Sequence, residues 1–478
     1  MRDVVAELKA IVGAGYCLAD AADREKYDFD ITREYQGRSL AVVRPANAAE
    51  VSAVLRLANA NKLPVVPLSG NTGLAGGGYV GEAGDSIILS LDRMNAIREI
   101  NPKSRIAKVE AGVILANLHS AVDAHDLVFP LLFGARGSCM LGGNLATNAG
   151  GSNVVRYGNT RALCLGLEVV MPDGEIVNLM SALHKDNTGY DLKDLFIGSE
   201  GTLGVITAAV LKLFPKPKAY ATAMVSVPSL AGALSLLHKI QAASGGGVEG
   251  FEYMPKNYFR HLQMIHPDAP MPFAEPAEIG ILIEVAAVAD RDAAPSPDGS
   301  IPVQNMLTET LAELMETGEV LDATIASNEA QRAEMWHQRE IAFEVANHMG
   351  VPITTDIAVP LDKVATFLQM AGERLPAIAP KAELIEIGHL GDGNLHYSLW
   401  VDPENPAAAD KAMQTAVYTM VEDVVQELGG SFSAEHGIGL SKLGTMARRK
   451  DKAALGVMRA IKSALDPNNI MNPGKLLP

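Results

Sequence analysis

The chain has 478 residues, 48% of them hydrophobic and 20% charged, with 44 Gly, 26 Pro and 3 Cys. That length exceeds what one hydrophobic core organises, so two or three domains are expected, and the composition excludes wholesale disorder or a low-complexity chain. The balance of 40 basic against 56 acidic residues leaves a formal charge of −16, which disfavours general nucleic-acid or anionic-membrane binding but permits a local basic pocket for a small anion.

The N-terminus, MRDVVAELKAIVGAGYCLAD, carries acidic residues in its first ten positions and lacks the apolar core of a signal peptide. Helical spacing begins at Val4, and a helical segment is expected over 1–38. From Ser39 the texture changes to β-branched runs, SLAVVRP and LPVVPLS, separated by the helical stretch AAEVSAVLRLANANK, which together make a β-α-β unit. Strands follow at DSIILSL, RIAKVEAGV, LGLEVVMPDGEIVNL and GTLGVITAAVLKLFP, with a hairpin turn at Asp173-Gly174. Pro215 and Pro217 mark the end of a first domain over 39–218.

A second domain over 219–430 alternates strands (TAMVSVPS, VEGFEYM) with helical LAGALSLLHKIQAA, and 286–303 reads as a polar connection. Helices are expected at 307–318, 330–349 and 407–428, and strands at ITTDIAVP and ELIEIGHLGDGNLHYSLWV. The final segment, 431–478, holds a Gly-rich loop and a helix over 452–465. No stretch approaches the roughly 18 apolar residues of a membrane span. Cys17, Cys139 and Cys164 form no disulfide framework and no zinc spacing, so buried thiols and a cytoplasmic location are expected.

Three segments concentrate Gly, Ser, Thr and Asn: 67–78 (PLSGNTGLAGGG), 136–151 (RGSCMLGGNLATNAGG) and 198–204 (GSEGTLG). Glycine lets backbone N–H groups approach and surround an anion, and small polar side chains complete the cradle. One such loop is an ordinary tight connection; three beside strands point to a pyrophosphate site. Neither GxGxxG after a strand nor GxxxxGK[ST] occurs, so a Rossmann site and a P-loop are unsupported.

A second constellation is His389-Leu-Gly-Asp-Gly-Asn-Leu-His396, with two imidazoles around a GDG bend that can bring both to one face. Asn394, His396 and Ser398 share a face beyond that bend, and Glu435-His436 precedes another glycine pair. Two His and one carboxylate are the ligand set of an open, zinc-type catalytic site. The spacing leaves open a plainer role for Glu435-His436 as a helix cap and hydrogen-bonding partner.

These motifs, in this order, resemble the FAD-linked D-2-hydroxy-acid dehydrogenases of the vanillyl-alcohol-oxidase type, over about 39–478. The likeness runs through SGNTGLAGG, GSCMLGGNLATNAGG, NTGYDLKDLFIGSEGTLGVIT, GHLGDGNLH, SAEHGIG and DPNNIMNPGK. Within the family it is greatest to D-2-hydroxyglutarate dehydrogenases, with D-lactate dehydrogenases as near relatives. The resemblance implies an α+β fold: a two-subdomain FAD-binding domain, an α+β substrate or cap domain, and a C-terminal helical segment returning to the FAD site. It implies non-covalent FAD, held by Ser69, Gly70, Asn71, Thr72, Gly73 and Leu74, by Gly137, Ser138, Gly142, Gly143, Asn144, Ala146 and Thr147, by Glu200, Gly201, Gly204 and Ile206, and by Asn472.

It further implies a divalent metal, zinc in many members, on His389, His396 and Glu435, with His436 as catalytic base. Arg339 matches the family's substrate-binding Arg, with Asn394, Phe343, Thr354 and Ser398 beside the substrate. The 2-hydroxyglutarate members carry Thr, Lys and Asn where this chain has Phe343, Thr354 and Ser398. Losing a cation disfavours a second buried carboxylate, so a monocarboxylic or less polar acid such as D-lactate is expected, with D-2-hydroxyglutarate the alternative. An oxygen-using FAD oxidase, a flavin-binding protein without catalysis and a flavin-free zinc hydrolase are the competing readings. The resemblance leaves an electron-transfer flavoprotein, a cytochrome or a quinone as acceptor, and leaves open whether the protein is a homodimer.

Overall fold

The computed structural model describes residues 4–478; the first three positions of the expected 1–38 segment lie outside the described residues. Helix Val4–Val12 buries Leu8 and Val12, and the short strand Cys17–Leu18 then joins a four-stranded sheet. In that sheet Ala41–Val43 and Val65–Leu68 both run parallel to Ile87–Ser90. The crossover between the first two is helix Ala48–Asn61. Its start is set by Asn47, whose side chain accepts the Glu50 N–H at 3.0 Å, while the Glu50 carboxylate accepts from Ala46 N–H at 2.8 Å. Val51, Val54, Leu55 and Ala58 form its buried stripe.

A five-stranded antiparallel sheet follows, in the order Ile97–Asn101, Ile106–Glu110, Val205–Lys212, Cys164–Val170 and Ile176–Leu179. The hairpin between the last two in that order turns at Asp173-Gly174, where Gly174 takes a φ of 85°. Strand Ile97–Asn101 and helix Leu115–Asp123 were not expected. The strand is a half-exposed edge with Arg98 and Glu99 at its centre, so its apolar signal is weak.

The rest of the chain builds an eight-stranded antiparallel sheet. Helices Leu230–Ala243, Pro302–Glu316, Val364–Arg374 and Lys411–Glu427 pack on one face, over Phe251, Tyr253, Ile283, Leu395 and Tyr397. The opposite face carries the alternate residues: Glu252 and Met254 are fully buried there, and His396 lines a cavity. The expected connection over 286–303 is shorter than supposed. Strand Ile279–Ala287 runs into it as a central strand of the sheet, and helix Pro302–Glu316 begins before its end. IGILIEVAA is nearly continuous in apolar residues because both of its faces are covered.

The single helix expected over 330–349 is broken at Ile341 into Glu329–Glu340 and Ala342–Asn347. The run from 383 to 401 is three strands, Glu383–Leu384, Ile387–His389 and Asn394–Trp400. At the C-terminus, Met471 bridges Val65 and the Asn472 N–H donates to the Val65 carbonyl, returning the chain to the first sheet. All three cysteines are buried and free.

Candidate active site

One cavity of about 1810 Å³ lies between the two smaller sheets and the open face of the large one. Its floor on the glycine side is backbone packed on backbone. A Cβ at Gly143 would sit 2.4 Å from the Ser69 carbonyl oxygen, and one at Gly70 2.8 Å from Met140 N, so these loops can approach each other only as glycines. Gly70 also takes a φ of 87°. The Glu200 N–H donates to the Ala146 carbonyl, and Asn472 Nδ2 donates to the Glu200 and Gly77 carbonyls at 2.8 and 3.1 Å. Asn472 Oδ1 is buried without a partner, which fits a ligand donor. The cradle of small residues and this orphan acceptor suit FAD.

Of the expected cofactor residues, Ser69, Asn71, Thr72, Gly73, Leu74, Gly142, Gly143, Asn144, Ala146, Thr147, Glu200, Gly201, Gly204, Ile206 and Asn472 line the cavity. Gly70, Gly137 and Ser138 do not: Gly70 packs under the loop, and the other two belong to a tight turn around Gly134–Gly137. Residues of the N-terminal segment, including Asp30, Glu34 and Tyr35, also reach the cavity, and no sequence signal marked them. The Glu200 carboxylate is spent within the protein. It accepts the Ile438 and Gly439 N–H groups at 2.8 and 2.7 Å, and burial raises its pKa.

On the cap side the polar groups stand in cross-strand rows. Strand Val248–Pro255 places Glu252 opposite His389, His389 pairs with Asn394, and His396 pairs with Asp356. The odd spacing of the two histidines is thus resolved by a hairpin: they sit diagonally across it, with ring centroids 5.4 Å apart. Ligand atoms of Asp356, His396, Glu435 and His436 lie within 4.8 Å of one another; of the three expected metal ligands this group includes His396 and Glu435 but not His389. His396 Nε2 is 3.6 Å from Glu435 Oε1, and the His396 and His436 rings stack at 5.7 Å.

Asp356 was missed because a lone acid in TTDIA gains meaning only from its register. Its Oδ2 accepts the N–H groups of Ala434, Glu435 and His436 at 3.2, 3.0 and 2.9 Å, and its Oδ1 accepts from Asn394 Nδ2 at 3.0 Å. Burial opposes its charge, but His436, Lys442 and these donors hold its pKa well below the ordinary carboxylate range. The loop 434–439 is therefore strung between two carboxylates, Asp356 from the large sheet and Glu200 from the glycine side. Burial and the neighbouring His389 push His396 well below the usual imidazole pKa, which favours the neutral form a metal binds. His389 is the reverse: burial opposes its charge, yet the Glu252 carboxylate holds it up at about 9. The donor set and the neutral His396 suit a divalent cation.

Arg339, Phe343, Thr354 and Ser398 line the same cavity, but Asn394 does not. Asn394 is buried and gives its amide to Asp356 and to the Ile357 carbonyl, so it buttresses the site from behind. Arg339 is 8% exposed and comes from helix Glu329–Glu340. Its Nε donates to Glu252 Oε2 at 2.9 Å, while its buried Nη2 makes no hydrogen bond. Thr354 and Ser398 hydrogen-bond to each other at 3.0 Å. Phe343 and Val351 are 76% and 82% exposed at the cavity mouth.

Residues 39–180 match the family described as FAD binding domain, and 216–476 match FAD linked oxidases, C-terminal domain. Among solved structures, alkyldihydroxyacetonephosphate synthase superposes with a TM-score of 0.73 at 19% identity, covering 100% of this chain and 86% of that one. p-Cresol methylhydroxylase gives 0.73 at 16%, covering 99% and 96%. The fold and site therefore define an FAD-linked oxidoreductase of the vanillyl-alcohol-oxidase type.

D-2-hydroxyglutarate dehydrogenase of Xanthomonas citri pv. viticola is 36% identical, over 99% of this chain and 96% of the relative. The mitochondrial enzyme of that name from Bos taurus is also 36% identical, over 100% and 84%. The chain belongs to the FAD-dependent D-2-hydroxyglutarate dehydrogenase family, oxidoreductases acting on a CH–OH group. Membership displaces the flavin-free hydrolase reading. The cytoplasmic expectation is also corrected: animal and plant relatives are named mitochondrial. Reduced thiols and a lack of spanning segments fit more than one compartment; no helix among the described residues is long and apolar enough to cross a membrane.

Proposed function

We propose that this dehydrogenase oxidises a D-2-hydroxy acid with a single carboxylate, D-lactate or a longer-chain analogue, to the 2-oxo acid. The observation that carries this reading is the surroundings of Arg339. Its guanidinium is buried in the cavity wall that also holds the imidazole cluster; Nε is bonded to Glu252, and Nη2 is ion-paired with the same carboxylate but makes no hydrogen bond. The remainder of the substrate would meet exposed Phe343 and Val351 and two hydroxyls already bonded to each other. A second carboxylate there would meet apolar surface and a hydroxyl pair, with no cation at position 354 to hold it.

FAD, once bound, supplies the acceptor for the C2 hydride. His389, His396 and Glu435 are the side chains assigned to hold a divalent cation, zinc in this reading, which would supply the positive charge that eases loss of the hydroxyl proton. Arg339 fixes the C1 carboxylate through its guanidinium. His436 accepts the hydroxyl proton as the C2=O bond forms. Its Nδ1 lies 3.7 Å from Asp356 Oδ2, a carboxylate that stabilises the imidazolium so produced. Electrons leave to an electron-transfer flavoprotein, a cytochrome or a quinone.

D-2-hydroxyglutarate is the second reading, favoured by the relatives' names at 33–36% identity over nearly the whole chain. Anaerobic mixing with D- and L-2-hydroxy acids, before and after chelation, tests both. The expected result is flavin bleaching by D-acids alone, led by a monocarboxylate and abolished by the chelator. D-2-hydroxyglutarate with the highest kcat/KM transfers the assignment to the second reading, and bleaching that survives chelation removes the metal. Peroxide production matching dye reduction would instead identify an oxidase.

A further inference from the structure

Glu252 is a fully buried carboxylate on the cavity side of the large sheet, and sequence motifs gave no reason to single it out. It makes contacts in two directions. His389 Nδ1 lies 2.9 Å from Glu252 Oε1, directly across the strand pair, and Arg339 Nε donates to Glu252 Oε2 at 2.9 Å from a helix on the other side. Arg339 Nη2 is also 2.9 Å from that oxygen, but without the angle of a hydrogen bond. Burying a carboxylate so completely is costly unless its partners are fixed and charged. Here they are an imidazole and a guanidinium that both face one cavity.

We infer that Glu252 is a positioning residue that sets two binding elements at once, the metal-facing atom of His389 and the anion-facing edge of Arg339. The inference rests on the functional reading above. Accepting from His389 Nδ1–H makes Nε2 the ligand atom, once a cation has displaced its proton. Accepting from Arg339 Nε leaves the outer nitrogens of the fork for a carboxylate. Because one carboxylate does both, cation affinity and anion affinity fall together when it is changed. A side chain serving only to neutralise buried charge would change stability and leave both affinities alone.

Glu252→Gln separates these outcomes. The amide keeps the volume, but its NH2 must oppose a donor on Arg339 or force the other tautomer on His389. The probes are zinc, titrated against a chromogenic chelator, and propionate, which carries a carboxylate but no hydroxyl with which to chelate, read from the flavin spectrum. Both use the full-length, FAD-loaded protein. The expected result is a loss of about 10- to 100-fold in zinc affinity and about tenfold in propionate affinity, with the flavin-to-protein ratio unchanged. His389→Gln should weaken zinc alone, and Arg339→Met propionate alone.

Zinc and propionate affinities within twofold of the unsubstituted protein, or loss of one without the other, overturn the inference. Glu252→Asp, one methylene shorter, carries the same test if the Gln variant does not fold, with partial loss of both affinities expected. His396→Ala distinguishes the two levels of failure. If it loses zinc while Glu252→Gln does not, only the role of Glu252 fails; if it too keeps zinc, the metal assignment beneath it fails.

Discussion

Along the glycine side of the cavity the walls are mostly backbone and small groups, at Ser69, 71–74, 142–144, 146–147, 200–201 and 204–206. Along the cap side they are long charged or imidazole side chains: Arg339, Asp356, His389, His396 and His436, with Glu252 buried behind them. The first wall depends on what is missing, since a single Cβ at Gly143 would strike the Ser69 carbonyl. The second depends on orientation, because each ring or carboxylate is held by a partner from another strand or loop. One wall suits a large cofactor bound by close approach; the other suits a small anion and a proton transfer. Damage to one should therefore leave the other measurable.

The largest effect that separates them is expected at His436. His436→Ala should slow anaerobic flavin reduction by the preferred acid by about 10³-fold, with a normal flavin-to-protein ratio. A comparable loss of bound flavin would show that the walls are not separable. Arg339→Met should lower kcat/KM by about 100-fold, the worth of a pair of charge-assisted hydrogen bonds. Steady-state kinetics should place most of it in KM, and a change confined to kcat would remove Arg339 from anion binding.

From the opposite wall, Gly143→Ala should weaken FAD binding at least about tenfold, because either the loop or Ser69 must move. Flavin retained on gel filtration is the readout, and full retention would refute the close-approach account. Phe343→Thr combined with Thr354→Lys should raise the kcat/KM ratio of D-2-hydroxyglutarate over D-lactate about tenfold. An unchanged ratio would place the second carboxylate elsewhere. The smallest effect concerns the join between the walls. Arg156 Nη1 from the glycine side lies 2.8 Å from Glu249 on the cap sheet, and the Tyr157 hydroxyl donates to the same oxygen. Arg156→Ala should cost about 1 kcal/mol, seen as a lower Tm, because the tyrosine still holds the carboxylate.

Much of the first wall was legible. Glycine has to lie where backbones meet, so SGNTGLAGG and GGNLAT declare a cradle before any fold is known. Even so, Gly70, Gly137 and Ser138 carry the motif without touching the cavity, since part of a glycine pattern serves to turn the chain. The second wall was legible only where residues cluster locally, as in GHLGDGNLH and SAEHG. Asp356 and Glu252 were invisible because the first is a lone acid in ITTDIA and the second is one of two in VEGFEYMP, with no local cluster to mark either, and Asn394 looked substrate-facing from its alternation with His396 and Ser398. Its amide instead reaches Asp356, a residue 38 positions away in sequence.

Short-range spacing and backbone sterics were enough to mark most of the strands, the glycine loops, the family's motifs and the residue types available for anion and metal binding. Only the tertiary structure decided which of those residues meet. Strand register placed Asp356 opposite His396 and Glu252 opposite His389, and no spacing along the chain encodes a register between strands so far apart in sequence. The same register explains how a chain with a net charge of −16 can build an anion site. Glu252 and Asp356 are turned into hydrogen bonds with Arg339, His389 or backbone N–H groups, while Arg339 still lines the cavity.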